Sequence, residues 1–280
     1  MASEITTSAV DDLSGVAIQE CRMTMQNLSQ LSNYITKKDC PPGASTVRFP
    51  LLAGLTAAAL TEGNDVANSA ATTSSIEVSP TTNAVWGSVV TDIAIHDSGE
   101  DLFAKLGQAA GMAIIQKQNA DIFALFDGFT GNTPVGSTTV DITEAAILRA
   151  KTMLLQRSVN PLEPIYMVIT PVVLEDLLAL YSTNTNITSL LLRDDALAGK
   201  APPIYGVNVI IHTSGITETG DIKCGMFTRD ALCMGVSWDS KIEVTRRSRA
   251  VAWDFVASSC YAVAELNDLH GVEMLLDGSD

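Results

Sequence analysis

The sequence lacks the residue patterns that mark most catalytic and metal-binding sites. Its 280 residues include three histidines and five cysteines. No C-x-x-C pair supports a zinc site or a dithiol redox centre. No G-x-G-x-x-G, G-x-x-x-x-G-K-[ST], H-E-x-x-H, G-x-S-x-G or EF-hand spacing is present either. We therefore expect no catalytic residues, no cofactor and no metal ion.

The three histidines do not form a site in the sequence. None stands near a cysteine or carboxylate at metal-ligand spacing. His212 lies in an apolar strand and is expected to be a satisfied core residue, His96 adjoins Asp97 at a helix start, and His270 falls in a turn. Catalysis by any of them is not supported.

Basic residues are few. The chain has 17 Lys and Arg against 32 Asp and Glu, a formal net charge of −15, and both halves are acidic. Sequence-independent binding to nucleic acid depends on clustered Lys and Arg that neutralise phosphates. The chain as a whole is therefore expected to repel DNA and RNA.

Targeting and membrane signals are also missing. The acidic start MASEITTSAVDDLSG does not resemble a signal peptide, and no apolar run approaches the ~18 residues of a membrane span. The cysteines are odd in number and scattered, and we expect buried free thiols in a reducing cytoplasm. They are Cys21, Cys40, Cys224, Cys233 and Cys260.

Two extended runs flank a segment of small residues. The first, Ser45 to Leu51, predicts a short strand, and the second, Ser75 to Ile95, is rich in β-branched residues. With about 20 residues per side at about 3.3 Å each, a hairpin of these runs reaches some 60 Å. Pro50 and Pro80 suit edge positions. The segment between them, LLAGLTAAALTEGNDVANSAATTSS, carries only two charges, so we expect a neighbouring molecule to cover it.

Three helices and a long strand follow. Capping signals at Ser98 and Gly128 predict a helix of nearly thirty residues, about 45 Å long. A second helix is predicted from Asp141, capped by that residue with Glu144, and a third from Pro171. The strand VAWDFVASSCYAVAEL near the C-terminus would span roughly 53 Å and could lie alongside the long helix.

One basic cluster interrupts the acidic sequence. It consists of Arg246, Arg247 and Arg249, with Arg247 and Arg249 on one face of a strand and Arg246 on the other. Two interpretations explain the cluster equally well. One is a solvated edge strand, which its charges protect from pairing with other chains. The other is ion pairing with an acidic neighbouring subunit.

The order of these elements resembles that of the major capsid proteins of tailed phages, which have the Hong Kong 97-like fold. VRFP before LTEGNDV is similar to the family's hairpin, and NADIFALFDG resembles the end of its spine helix. IYMVITPVVLEDLLAL and PPIYGVNVIIHTSG resemble parts of its axial domain. The resemblance covers roughly residues 46 to 280.

The resemblance implies an α+β chain with an N-terminal arm, an extended β-hairpin or E-loop, a peripheral domain and an inserted axial domain. The arm takes residues 1–45 and the hairpin 46–95. The peripheral domain takes 96–160 and 238–280, with its spine helix at 98–127, and the axial domain takes 161–237. Candidate interface residues are Leu51, Leu52, Leu55, Leu60, Glu62, Asp65, Trp86, Arg246, Arg247 and Arg249.

The implied function is self-assembly into hexamers and pentamers of an icosahedral shell that encloses double-stranded DNA without sequence-specific binding. This function implies a virion capsid that is assembled in the host cytoplasm. The implied partners are a separate scaffolding protein, a portal and a decoration protein. Residues 46–92 contain no Lys, so the lysine crosslink of the family's founding member cannot form in this hairpin. The alternatives are an encapsulin-type nanocompartment shell protein and a cytosolic α+β enzyme.

Overall fold

The computed structural model describes residues 17, 19–24, 31–52, 73–97, 102–137, 139–157, 163–183, 204–212, 217–218 and 221–277. After a short helix at residues 17 and 19–24, the helices are α1 (Asp92–Asp97), α2 (Leu102–Ala124), α3 (Glu144–Gln156) and α4 (Pro171–Thr183). The first strands are β1 (Thr36–Asp39), β2 (Val47–Leu52), β3 (Thr73–Val78), β4 (Thr82–Thr91), β5 (Val135–Gly136) and β6 (Ile165–Ile169). They are followed by β7 (Val207–Ile211), β8 (Thr217–Glu218), β9 (Asp221–Thr228), β10 (Leu232–Arg247), β11 (Ala252–Glu265) and β12 (Gly271–Asp277).

A four-stranded sheet forms one part of the molecule, in the order β1-β10-β11-β4. β10 and β11 are antiparallel and pair over nearly their whole length, from Leu232↔Glu265 to Arg247↔Ala252. β4 runs antiparallel along β11, and β1 is parallel to the start of β10. The long strand expected near the C-terminus is therefore present as β11, with 14 residues.

Helix α2 lies along the inner face of this sheet. Phe103, Ala110 and Ile114 of the helix and Phe255 and Ala257 of β11 share one buried cluster. Two polar contacts extend the packing toward the helix C-terminus. Gln118 Nε2 donates to Ser259 Oγ (3.2 Å), and Tyr261 Oη donates to Asp121 Oδ2 (2.8 Å). The long helix and the long strand thus lie alongside each other, as the sequence predicts.

A six-stranded sheet forms the second part, in the order β5-β12-β9-β6-β7 with β8 paired to β9. Its core includes residues of α3 and α4, such as Ile147, Leu154, Val173 and Leu177. β6 has the burial expected of an interior strand, with Met167, Val168 and Ile169 fully buried. The C-terminal strand β12 lies in this sheet, although the sequence places 238–280 with the peripheral domain. Strands of the two sheets therefore alternate along the sequence more than the predicted domain boundaries imply.

Aromatic residues join the two parts. Phe123 and Phe126, at the end of α2, are buried with Phe227 of β9 and Tyr261 of β11. The Phe126 ring centroid is 5.3 Å from those of both Phe123 and Phe227. The end of the long helix is therefore fixed to both sheets at once.

Several predicted boundaries differ from the structure. The run from Ser75 to Ile95 is not one strand. β3 ends before Pro80, β4 leaves the hairpin to pair with β11, and α1 begins at Asp92. The regular part of the long helix ends at Ala124, and a 3-10 turn continues it to Gly128. Helix α3 is capped by Thr143, whose side chain accepts from the Ala146 N–H, and not by Asp141. The predicted start at Ser98 lies outside the described residues.

Candidate assembly surfaces

The base of the hairpin is anchored to its own chain. β2 and β3 pair from Val47↔Val78 to Leu52↔Thr73. Val47, Phe49 and Val78 are buried against Cys233 and Leu266, where the start of β10 pairs with the end of β11. The apolar residues of β2 alternate with Arg48 and Pro50, which are exposed, so one face of the hairpin base is a core face. The base of the hairpin is therefore fixed to the body of the chain.

The outer face of the hairpin base carries charges. Arg48 Nε lies 2.7 Å from Glu77 Oε1 across the strand pair, and Lys38 Nζ donates to the Arg48 carbonyl oxygen (2.9 Å). Leu51, an interface candidate, is half-buried and packs against the cluster beneath the hairpin, and Leu52 pairs with Thr73 through its backbone. Leu55, Leu60, Glu62 and Asp65 lie outside the described residues.

A short helix of the N-terminal arm, formed by residues 17 and 19–24 and called here the arm helix, packs on α2. Ala17 and Cys21 are fully buried. A Cβ atom at Gly111 would lie 2.8 Å from the Cys21 carbonyl oxygen, and one at Gly107 would collide with that of Ala17. Gln108 Nε2 donates to Glu20 Oε2 (3.0 Å). This contact was not predicted from the sequence, although the G-x-x-x-G spacing at 107–111 is typical of closely packed helices.

Two of the three clustered arginines make ion pairs within the chain. Arg246 binds both carboxylate oxygens of Asp92, and its guanidinium lies 4.9 Å from the Trp253 ring centroid. The hydrogen bonds from Arg246 lower the pKa of Asp92. Arg247 Nε lies 2.7 Å from Asp254 Oδ2. Both residues therefore tie β10 to neighbouring elements of their own chain.

Arg249 differs from the other two. It is not on a strand, as the sequence reading assumed, but in the 3-10 turn Ser248–Ala250 between β10 and β11. It is exposed, and no ion pair or hydrogen bond joins its side chain to another described residue. Of the three arginines, it is the one whose charge remains available to a neighbouring molecule.

Apolar side chains are exposed around this turn. Ile93 of α1 is 73% exposed and Val251 is 56% exposed, and the Asp92 N–H donates to the Val251 carbonyl oxygen (3.1 Å). Val85 and Val89 of β4 are about half exposed on the sheet face opposite α2. Trp86 points to the other face, where its ring packs edge-on against Phe255 (5.9 Å between centroids). The candidate residues taken from the sequence include Trp86 but not the two valines, which the alternation along β4 places outside.

The described histidines do not assemble into a reactive site. His212 is 5% exposed and its ring lies 5.5 Å from that of Phe123. It is a core residue as expected, but its Nε2 has no hydrogen-bond partner among the described residues, so the expectation of full satisfaction is wrong. Burial lowers the pKa of His212. His96 lies in the last turn of α1 and not at a helix start.

Several other titratable groups with shifted pKa values are buried or ion-paired within the chain. Four of the five cysteines are buried and Cys40 is partly so, and burial raises the pKa of Cys224 to about 12. Burial and the nearby Asp127 raise the pKa of Glu273, while Asp127 pairs with Lys223 (2.6 Å). Within the described ranges, no three His, Cys, Asp or Glu side chains are grouped to hold a metal ion. Among the same residues, no helix is long and apolar enough to cross a membrane.

Comparison with known proteins agrees with this architecture. A profile of the family described as "Phage capsid protein" matches residues 87–231, slightly more than half of the chain. No curated protein sequence matches the chain.

Solved capsid structures share the fold along most of the chain. The capsid of cyanophage P-SCSP1u is 14% identical, with a TM-score of 0.64, and the match covers 90% of this chain and 89% of that one. Mycobacterium phage Che8 gives 16% identity, a TM-score of 0.64 and coverage of 82% and 84%. The virus-like particle from Pyrococcus furiosus gives 12%, 0.61 and coverage of 93% and 98%.

The profile match covers α2, α3, α4 and the strands β5 to β9, so it includes most of the six-stranded sheet and, of the four-stranded sheet, the end of β4. The chain belongs to the phage capsid protein family, has the Hong Kong 97-like fold and is a major capsid protein.

Proposed function

We propose that copies of this chain form hexamers and pentamers, and that these close into an icosahedral shell around double-stranded DNA. The observation that supports this most is a hairpin base held by buried Val47, Phe49 and Val78, whose two strands are joined by a sequence, residues 53–72, with only two charged side chains. A closed shell requires one chain to accept several neighbour geometries. A rigid body with projecting segments meets that requirement.

The proposed subunit contacts use the hairpin and the turn between β10 and β11. Leu51, Leu52, Leu55, Leu60, Glu62 and Asp65 are proposed to meet an adjacent subunit through the hairpin. Arg249 is proposed to pair with a carboxylate of a neighbour, with Ile93 and Val251 beside it. Trp86, Arg246 and Arg247 are proposed to hold the elements near this contact in place, because their side chains already have partners within the chain.

The enclosed DNA is proposed to make no sequence-specific contact with the shell. A net charge of −15 opposes tight binding to phosphates, so the packaged DNA can move along the inner wall. Strong binding of duplex DNA by purified capsomers at physiological salt would count against this proposal. A separate scaffolding protein, a portal and a decoration protein are the proposed partners, and the host cytoplasm is the proposed place of assembly. The shell is proposed to have no enzymatic activity.

The decisive experiment is expression of the chain alone, followed by size-exclusion chromatography with light scattering and negative-stain electron microscopy of the largest fraction. Rings of five or six subunits, or closed shells of uniform curvature, are expected. A stable, compact monomer would contradict the proposal. Denaturing electrophoresis of mature particles should show single subunits, since no hairpin Lys is present, and a ladder of linked subunits would contradict a non-covalent shell.

Arg249 provides a narrower test of the contact. Arg249→Glu should reduce the yield of rings and shells because it places a carboxylate where a cation is proposed to meet one. Arg249→Lys keeps the charge and should retain most of the yield. An unchanged yield for Arg249→Glu would remove this residue from the interface while leaving the shell function intact.

A further inference from the structure

The strand β10 is irregular at its middle. Its residues pair with β11 as Val236↔Tyr261, Trp238↔Cys260 and Lys241↔Ser258. Each of the two intervals contains one more residue on β10 than on β11, so two β-bulges stand next to each other. Bulges redirect side chains and often lie near functional sites. This segment therefore has a geometry that regular pairing of the two strands would not produce.

The bulges turn three consecutive residues to solvent. Leu232 to Val236 are all buried, whereas Ser237, Trp238 and Asp239 are all exposed. Trp238 is 41% exposed, although its large apolar ring is of the kind that proteins normally bury. Tryptophan at an accessible concave surface is typical of binding sites.

A groove of about 580 Å³ lies beside this tryptophan, lined by Lys37, Asp39, Val236, Ser237, Trp238 and Asp239. Lys37 Nζ contacts both carboxylate oxygens of Asp239, at 3.2 and 3.3 Å. The opposite charges of Lys37 and Asp239 therefore neutralise each other. The Asp39 carboxylate is exposed and has no ion-pair or hydrogen-bond partner among the described residues. The groove thus offers an indole ring and one uncompensated negative charge.

We propose that this groove binds a basic side chain, arginine or lysine, carried by a segment of another protein. A cation placed over an indole is attracted by the ring quadrupole, and the Asp39 carboxylate favours the same charge. The groove is larger than a single guanidinium or ammonium group, so it also has room for the residues on either side. Phosphates of nucleic acid or lipid would meet the Asp39 charge and be repelled.

The test uses a labelled peptide, acetyl-Gly-Ser-Arg-Ser-Gly-amide, and its citrulline counterpart, which has nearly the same shape and no charge. Fluorescence anisotropy is measured with both assembled particles and unassembled chain. The arginine peptide should bind saturably to both forms and the citrulline peptide more weakly. Trp238→Leu should weaken binding about two- to fivefold, the range expected of an exposed cation–π contact. Asp39→Asn should also weaken it, and Trp238→Phe should retain part of the affinity.

Asp141→Asn is the matched control, since it removes an exposed carboxylate that does not line the groove, and it should leave binding unchanged. Thermal melting shows whether each variant is folded. Equal binding of the citrulline peptide, or binding unaffected by both Trp238→Leu and Asp39→Asn, would overturn the proposal. Binding to the unassembled chain but not to particles would also overturn it, because a second copy would then cover the groove. The outcomes measured on the unassembled chain do not depend on whether the chain forms shells.

Discussion

Two glycines of the long helix show how single residues determine which segments meet. Gly107 and Gly111 have no side chain where the carbonyl oxygens of Ala17 and Cys21 approach α2. Glycine in a helix interior costs about 1 kcal/mol relative to alanine. The close packing of the arm helix explains why two are present on the same face.

Gly107→Ala should therefore weaken the attachment of the arm helix even though alanine favours helix formation. Overpacking typically costs about 1–3 kcal/mol, against about 1 kcal/mol gained in propensity. Hydrogen exchange should become faster in residues 19–24, while β10 and β11 stay protected. Gln116→Ala, at an exposed position of the same helix, is the control. Unchanged exchange in Gly107→Ala would contradict this account of the glycines.

His212 should make the stability of the unassembled chain depend on pH. Burial lowers its pKa from the usual 6.5, so the folded state holds the ring neutral. As pH falls below about 6.5 the unfolded chain takes up a proton that the folded chain does not, and the free energy of unfolding decreases. Urea unfolding at several pH values should show a smaller decrease for His212→Gln. Identical slopes for wild type and His212→Gln would exclude the effect.

At the scale of elements, the hairpin base should loosen independently of the body. Phe49 is 4% exposed, and Phe→Ala in a core costs about 3–5 kcal/mol, more than a two-stranded ribbon sustains alone. Phe49→Ala should remove exchange protection from β2 and β3, leave β11 protected and lower the yield of shells. Pro50→Ala changes the adjacent exposed residue and should leave both the protection of β2 and β3 and the yield of shells unchanged. Loss of protection throughout the molecule would instead show that the hairpin base is part of the global fold.

The sequence predicts the elements better than their partners. Capping signals and periodicity locate α2, α4, β6 and β11 because these features are local. The pairing of β4 with β11 depends on residues about 170 positions apart, as in Trp86↔Ala257, and no local signal specifies it. The same limit applies to the arginines. Their clustering is visible in the sequence, but only the fold brings Asp92 to Arg246 and leaves Arg249 in a turn.

For the whole molecule, charge should control assembly through ionic strength. Each subunit carries a net charge of −15, so neighbours in a shell repel one another. The Debye length falls from about 30 Å at 0.01 M salt to about 8 Å at 0.15 M. One proposed ion pair at Arg249 contributes at most about 1 kcal/mol at an exposed position. Repulsion summed over all charges should outweigh it, and the yield of shells measured by light scattering should rise over this range of salt.

Arg249→Glu adds two negative charges to each subunit and should shift this transition to higher salt. Arg249→Lys, with an unchanged net charge, should follow the wild-type curve. The sign of the salt effect separates two kinds of shell. A yield that falls as salt is added would mean that attraction between opposite charges holds the subunits together. Burial of the exposed Ile93 and Val251 side chains would then not be needed to explain their association.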